Sequence, residues 1–290
     1  MQTDVKQVFY FHGDSNSLGG FLEEPFRYIP TPCSVALSSA GGSVTQRAEP
    51  FNFEDLIHAR ASYTHVSGRP TKRNGPWTQR VSSVVEGFNL LGRVTADSLA
   101  AQVFIEHPEA GRGPRKISFA GSHIRNLRVD GKPVTPVLNA TLLPERHRSE
   151  DVYNQDASVN PELPWPTLWQ AAHRQSVDLL ENRSIPGWAR DRFGWIAAKE
   201  NSGEGNLEGY TLCSLVDKLD GLPSEQSVGH YIEIPDLGRI FLGEVTIFPQ
   251  AVTLTMLRAE LGCALTGQAS AASVASNGTM QPPNILLPGS

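Results

Sequence analysis

Apolar and polar residues alternate along residues 84–134, where glycine-rich turns separate three runs. Alternate side chains of a β-strand point to opposite faces of its sheet, so each run predicts a strand with one buried face. In the second run the apolar face consists of Leu99, Ala101, Val103 and Ile105. Asp130 and Gly131 follow the third run and form the dipeptide that two-residue hairpin turns favour. The segment therefore predicts an antiparallel β-meander.

Alternation also marks the two ends of the chain. Residues 7–14 predict a central strand, because aromatic side chains fall on both of its faces. The Ser- and Gly-rich residues 15–20 predict a turn. A second meander is predicted over residues 229–261, with tight turns between its strands. Glu244 and Glu260 alternate outward from this meander, and we expect both carboxylates to be solvated.

A different pattern separates the two meanders. Residues 136–200 are rich in Pro and Trp and show no sustained period, except at about 167–183, where apolar spacing predicts one short packing helix. Residues 266–290 are rich in Ala, Ser and Gly and lack the apolar density to fold alone. We expect a mainly β protein with an antiparallel β-sandwich or barrel-like body. It comprises a single β-rich domain over 1–265, with the Pro/Trp-rich excursion at about 136–200, and a low-complexity C-terminal tail at 266–290.

Composition fits a folded, turn-rich chain. Its 290 residues include 26 Gly and 21 Pro, and 39% are hydrophobic. The 25 basic and 30 acidic residues give a net charge of −5 without long runs of either sign, so no nucleic-acid partner is expected. The nearest candidate for a basic surface is the cluster of Arg69, Lys72, Arg73 and Arg80. We interpret it as a solvated hairpin loop; phosphate binding, which normally needs a broader basic surface, is the alternative.

The cysteines and the N-terminus indicate in which cellular compartment the protein is expected. Cys33, Cys213 and Cys263 are widely separated and odd in number, which favours buried thiols in a reducing compartment. The sequence contains neither a signal peptide nor an apolar run of membrane length, so we expect a cytoplasmic protein without a membrane span. Export is the alternative if a leader precedes this sequence. No spacing of metal ligands is present, and no cofactor is expected.

Two stretches carry a family resemblance. LLGRVTADSLAAQV (90–103) and ISFAGSHIRNLRVDGKPV (117–134) resemble bacterial β-rich proteins of the choice-of-anchor P type, in which a Thr-Ala-Asp turn precedes a long strand and a Ser-x-x-x-Asn-Leu-x-x-x-Gly segment follows. The resemblance covers about a sixth of the chain. The rest is similar to uncharacterised bacterial proteins. The resemblance implies a β-sandwich-like body and no catalytic activity.

The first predicted strand carries the strongest candidate for catalysis. His12 and Asp14 are two residues apart and share a face with Tyr10, so the carboxylate could orient the imidazole for acid-base chemistry. The simpler interpretation is a strand end that meets solvent. His107 and His123, by contrast, fall at distant points of the predicted meander, roughly 25 Å apart, and cannot share a metal.

Large rings in the excursion form the candidate ligand site. Four of the five tryptophans could line an apolar or sugar pocket, or could close the core instead: Trp165, Trp169, Trp188 and Trp195. His173 lies on the predicted helix and could supply a polar contact.

Three functions are compatible with these features. The leading hypothesis is a cofactor-free β-sandwich protein that binds an apolar or carbohydrate-like small molecule beneath the excursion. The second is a metal-independent lyase, isomerase, cyclase or hydrolase that uses His12 and Asp14 beside an aromatic pocket. The third is a structural protein that assembles as a homo-oligomer through its sheet edges.

Overall fold

The computed structural model describes residues 8–72, 75–109, 115–139, 165–182, 185–198, 211–248, 251–262 and 265–280. Within these residues the chain forms two large antiparallel sheets that pack face to face, a small ribbon and two helices. The prediction of a mainly β, sandwich-like body is confirmed.

Nearly all of the described elements are strands. The strands before the helices are β1 (Phe9–Glu23), β2 (Phe26–Ile29), β3 (Ser34–Ala36), β4 (Gly42–Ala48), β5 (Phe51–Phe53), β6 (Ile57–Ala59), β7 (Ala61–Pro70), β8 (Trp77–Leu90), β9 (Val94–His107), β10 (Lys116–Ser118), β11 (His123–Arg125), β12 (Arg128–Val129), β13 (Lys132–Pro133) and β14 (Thr135–Leu138). The helices are α1 (Trp165–Glu181) and α2 (Gly187–Ala198). The strands after them are β15 (Thr211–Ser214), β16 (Val216–Asp220), β17 (Ser227–Val228), β18 (Tyr231–Ile234), β19 (Gly238–Ile247), β20 (Ala251–Gly262) and β21 (Thr266–Met280).

The first sheet joins the two ends of the described chain. Its order is β17-β18-β19-β20-β21-β1-β2, with β15 beside β19 and β3 beside β1. β21 pairs with β1 from Phe9 opposite Met280 to Leu22 opposite Gly267. β18, β19 and β20 confirm the second predicted meander. β1 lies between β21 and its short partners β2 and β3, which confirms its predicted central place.

Residues 266–280 do not form the tail predicted at 266–290, because they form β21 between β20 and β1. Small side chains suffice there, since the strands on both sides pair with β21 along nearly its whole length. The inward residues of β21 are buried against the second sheet, and they include Ala269, Ala271, Val274 and Ser276. Residues 281–290 lie outside the described part of the chain.

The turn predicted at residues 15–20 is also wrong, since β1 runs through it to Glu23. The strand changes face there, because Ser17 and Leu18 are adjacent and both buried. Ala272 on β21 and Gly243 on β19 lie in the same transverse row and have positive φ angles of 52° and 60°. The whole sheet therefore bends at this row, and its strands exchange their inner and outer faces.

The second sheet contains the first predicted meander. Its main order is β4-β7-β8-β9, with β10, β11 and β12 in turn beside β9, and β6 beside the end of β8. Val129 pairs with Lys132, and Asp130 and Gly131 between them have φ angles of 50° and 74°. This is the predicted Asp-Gly hairpin turn. The small ribbon pairs β14 with β16.

The core lies between β1, β20 and β21 of the first sheet and β7, β8 and β9 of the second. The sheets approach closely where β1 faces β8. There the Ser15 hydroxyl donates to the Ser82 carbonyl at 2.6 Å, and the Ser83 hydroxyl donates to the Asn16 carbonyl at 2.9 Å. These bonds join side chains of one sheet to the backbone of the other. Small residues on β1 are needed for that approach.

The helices pack on the outer face of the first sheet. α1 confirms the helix predicted at about 167–183. α2 was not predicted, because its apolar residues are spread around the helix and give weak periodicity. Neither helix of the described chain is long and apolar enough to cross a membrane. Cys33 and Cys213 are free and buried, as predicted, and burial raises the pKa of Cys213 to about 12.

The place of β21 in the sandwich can be tested with one substitution on each of its faces. Val274 is buried and Ala275 beside it faces outward opposite Asp14. Val274→Lys should lower the free energy of unfolding by about 4 kcal/mol, since it buries an unpaired cation. Ala275→Lys should change it by less than about 1 kcal/mol. Denaturant unfolding measures both, and equal effects would show that β21 is not a core strand.

Candidate functional site

Side chains from neighbouring strands form a straight row across the outer face of the second sheet. The pairing of β4, β7, β8, β9 and β10 aligns Ser43, Ser67, Arg80, Phe104 and Ser118. The adjacent row contains Thr45, His65, Ser82 and Gln102. These rows underlie a groove of about 830 Å³, which we call the basic groove. Its described lining also includes Gly42, Gly68, Arg69, Thr78, Gln79 and Ala120.

Arg80 is held in the basic groove by a chain of hydrogen bonds. Its Nη2 donates to Gln102 Oε1 at 2.8 Å, and Gln102 Nε2 donates to the carbonyl of Ala120 at 2.6 Å. Gly121 makes room for this amide, because a Cβ there would lie 3.0 Å from Gln102 Nε2, and its φ of 93° disfavours other residues. The guanidinium is therefore oriented by a neutral amide rather than by a carboxylate.

His65 lies beside Arg80 with a hydroxyl group near each ring nitrogen. Thr45 Oγ1 is 2.8 Å from Nδ1, and Ser67 Oγ is 3.2 Å from Nε2. Partial burial, together with the charge of Arg80, lowers the pKa of His65 from its ordinary value. The imidazole is thus mainly neutral near pH 7 and is positioned by groups that can both donate and accept.

The charged residues that line the described basic groove all carry positive charge. Among its described lining residues there is no carboxylate, whereas Arg69, Arg80 and His65 can all carry positive charge. Glu106 is not in the lining but lies in the row of the lining residues Arg69 and Thr78, and Lys116 Nζ pairs with its Oε1 at 2.8 Å. Phe104 adds an apolar surface, since it is 37% exposed. The groove is therefore a positive, hydroxyl-rich surface on a chain whose net charge is −5.

The predicted catalytic residues lie on the other sheet. Tyr10, His12 and Asp14 face outward from β1, and His12 Nδ1 is 3.7 Å from Asp14 Oδ2. These two side chains are 64% and 38% exposed. Strand pairing places Asp14 in the same row as Thr246 of β19. Arg239, which stacks on the candidate Trp188, is seven residues from Thr246 on β19, a distance of roughly 23 Å along the strand. The structure does not bring the acid-base pair and this tryptophan together.

The predicted ligand-binding residues are distributed over the two helices. Trp165, Trp169 and His173 belong to α1, and Trp188 and Trp195 belong to α2. Trp188 packs edge-on against Tyr231, with ring centroids 5.0 Å apart, and Trp195 is 42% exposed. The side chains of Trp165 and Trp169 and much of the excursion, residues 140–164 and 199–210, lie outside the described residues.

α2 is anchored by a cluster of arginines and glutamates. Glu244 is only 5% exposed and accepts hydrogen bonds from Arg258 and from Arg192 of α2. Glu260 accepts from the same two arginines and also pairs with Arg239. The expectation that Glu244 is solvated is therefore wrong, because alternation identified the outer face but not the helix that covers it. Glu260 is half-buried.

A second groove, of about 700 Å³, lies beside this cluster at the turn between β18 and β19. Glu225, Glu233 and Asp236 contribute carboxylates to its lining. The arginine that lines it, Arg239, is already engaged by Glu260 and by the ring of Trp188. This groove therefore presents acidic groups with little oriented positive charge, and the basic groove is the better candidate for ligand binding.

Two buried histidines line neither groove. His107 is packed against Phe9, with ring centroids 4.7 Å apart, and His230 faces Phe193 beneath α2. Burial lowers the pKa of His107 to about 3 and that of His230 to about 4. His107 ends β9, whereas His123 pairs with Ala100, so the predicted separation of these two histidines is confirmed.

The fold and the basic groove define an antiparallel β-sandwich protein with a ligand-sized, positively charged groove on one open face. The chain belongs to the family described as "Domain of unknown function (DUF8256)", whose model matches residues 9–248. No curated protein and no solved structure matches it. The family match ends before β20 and β21, although both lie between β19 and β1 in the first sheet. The structural unit therefore extends beyond the matched region.

Sequence reasoning identified parts of the basic groove without assembling them. The alternation that puts Leu99, Ala101, Val103 and Ile105 on one face of β9 leaves Gln102 and Phe104 on the other. The interpretation of Arg69 and Arg80 as part of a hairpin loop is wrong, because they lie in β7 and β8. Arg73 of that cluster lies outside the described residues. The missing information was the register between β7, β8 and β9. Outward Arg, Gln and Phe side chains on adjacent predicted strands were the available signal.

The anchoring role of Glu244 can be compared with that of an exposed carboxylate. Glu244→Ala should lower the free energy of unfolding by about 3–5 kcal/mol, because it leaves Arg258 and Arg192 without their shared partner. Glu106→Ala removes a surface pair with Lys116 and should lower it by about 1 kcal/mol or less. Denaturant unfolding distinguishes the two, and a small loss for Glu244→Ala would contradict the anchoring role.

The buried histidines predict a loss of stability in acid. Above pH 6.5 both are neutral whether the chain is folded or unfolded, so they add no pH dependence. Below it the unfolded chain binds protons that the folded chain excludes, and each histidine should reduce the free energy of unfolding by up to about 1.4 kcal/mol per pH unit down to about pH 4. His107→Gln should remove one such contribution to the slope, whereas the same change at the exposed His58 should not. An unchanged slope in His107→Gln would disprove this origin.

Proposed function

We propose that this protein is a binding module for a carbohydrate-like ligand and that the basic groove is its binding face. The groove volume of about 830 Å³ falls in the range of small-molecule sites. Its aligned rows present hydroxyl, amide and guanidinium groups at the spacing of neighbouring strands, about 4.8 Å. A sugar ring carries hydroxyl groups at its rim and C–H groups on its faces. The polar rows suit the rim, and Phe104 suits a face.

The observation that carries this proposal is the orientation of Arg80. Gln102 accepts a hydrogen bond from one terminal nitrogen of Arg80, and the guanidinium lines the groove. A preorganised cation loses little conformational freedom on binding. Because the groove supplies the hydrogen-bonding groups itself, the proposed function needs no cofactor.

The proposed site differs from the position expected beneath the excursion at about 136–200. The helices of that excursion lie against the first sheet, whereas the basic groove is on the second. Trp188 contributes to packing α2 rather than to this groove. We retain as further proposals a bacterial origin with relatedness to the choice-of-anchor P type, a cytoplasmic location, and homo-oligomer formation through sheet edges.

An array of immobilised neutral, uronic, sialylated and sulfated oligosaccharides tests the proposed function. The protein should bind at least one class, and Arg80→Ala should weaken that binding at least tenfold, since a hydrogen bond to a charged group contributes about 1.5–3 kcal/mol. Gln102→Ala keeps the charge but frees the guanidinium, so it should weaken binding by a smaller factor.

Arg47→Ala is the matched control. Arg47 lies on the same outer face, stacked on Tyr63 and outside the basic groove, so its removal changes the net charge equally. Equal losses in the Arg47 and Arg80 variants would indicate nonspecific charge attraction and reject the groove as the site. Absence of binding to every class would reject the function itself.

A further inference from the structure

We infer that the sugar bound in the basic groove is an acidic one, whose carboxylate is held between Arg80 and a protonated His65, so that binding takes up a proton. This inference rests on the proposed function and specifies its ligand. It follows from the relative positions of the two side chains and from the groups that surround them.

Arg80 and His65 are diagonal neighbours on adjacent strands. Arg80 pairs with Ser67, and His65 is two residues before Ser67 on the same face of β7. Diagonal neighbours across an antiparallel pair are about 7–8 Å apart, so a carboxylate placed between them lies close to both charges. Because both ring nitrogens of His65 face hydroxyl groups, the carboxylate accepts its hydrogen bonds from Arg80 and is attracted to the imidazolium by charge. Gln102 engages one terminal nitrogen of Arg80, and the fork geometry of the remaining N–H groups suits a planar carboxylate.

The hydrogen-bond partners of His65 allow it to change its protonation state without rearrangement. A neutral imidazole has one donor and one acceptor nitrogen, whereas an imidazolium has two donors. Thr45 and Ser67 offer hydroxyl groups, which can donate or accept at either nitrogen. The same geometry therefore serves the empty groove with a neutral ring and the occupied groove with a charged one.

The described charged groups near His65 are cations, so protonation of the ring becomes favourable when an anionic ligand binds. Arg80 of β8 lies beside it, Arg69 of β7 lines the same groove, and Arg47 of β4 lies beyond Thr45. No carboxylate belongs to the described lining. In the empty groove, partial burial and the charge of Arg80 oppose a charge on the ring. A ligand carboxylate reverses that field and draws a proton onto His65.

Isothermal titration calorimetry with matched sugars tests this inference. The probes are tetramers of galacturonic, glucuronic and mannuronic acid, each as the free acid and as the methyl ester, together with the neutral tetramers. At least one free acid should bind tenfold or more tightly than its ester. Its affinity should rise about three- to tenfold from pH 7.5 to pH 5.5, a range in which the sugar carboxylate stays ionised. Buffers of different ionisation enthalpy should report proton uptake.

Variants separate the two side chains. His65→Asn should abolish the pH dependence and the proton uptake while retaining part of the affinity, and Arg80→Ala should abolish the preference for the free acid over the ester. His58→Asn, an exposed position on β6 of the same sheet, should change neither. Loss of the pH dependence in the His58 variant would overturn the assignment to His65.

The failures of the inference and of the proposed function are distinguishable. Equal affinity for acid, ester and neutral tetramers, or acid binding without pH dependence, would overturn the inference while leaving a carbohydrate-binding groove. Preference for sulfated over uronic sugars on the array would also overturn it. No binding to any tetramer or array sugar would overturn both.

Discussion

The two sheets are tied together where β1 faces β8, and the arrangement of the molecule depends on the bonds made there. Gln79 donates to the carbonyl of His12, and Ser83 donates to that of Asn16. Such bonds inside a dry interior are directional, unlike apolar contacts, so they fix one sheet in register with the other. Gly13 leaves the space that Gln79 needs, because a Cβ there would lie 3.0 Å from its amide. The next residue, Arg80, points to the opposite face. The residue that fastens β8 to the first sheet is thus adjacent to the arginine that defines the basic groove.

The outer faces of the two sheets are used differently, and arginine shows the difference best. On the first sheet, Arg258 and Arg192 of α2 both pair with the buried carboxylate of Glu244 and so hold α2 in place. On the second sheet Arg80 is oriented by the neutral amide of Gln102. The partner, rather than the residue type, separates a packing arginine from one available to a ligand. Arg239 is likewise engaged within the protein, since it stacks on Trp188 of α2 and pairs with Glu260.

Large alternating side chains made much of the fold predictable, and small ones concealed the rest. The core face of β9 and the Asp130-Gly131 hairpin followed from local pattern alone. β21 and residues 15–20 did not, since Ala, Ser and Gly suggest tails and turns unless neighbouring strands supply the ladder. The candidate site was less accessible still. Ser43, Arg80 and Ser118 share one row only because of pairings between distant strands, and no single-sequence pattern encodes that register.

The pairing of β1 with β21 also imposes an order on the folding of the chain. The first strand of the described sequence finds its long partner only in the last, so this sheet is dominated by contacts of large sequence separation. During synthesis the meander of the second sheet can assemble as its strands emerge, whereas β1 must wait with an unpaired edge for residue 280. A nascent chain stopped between β19 and β20 would hold a complete family match and an open first sheet. For this molecule, completion of the β-sandwich is therefore an event that follows translation of the C-terminal strands, and until then β19 and β1 both expose an unpaired edge at which chains could aggregate.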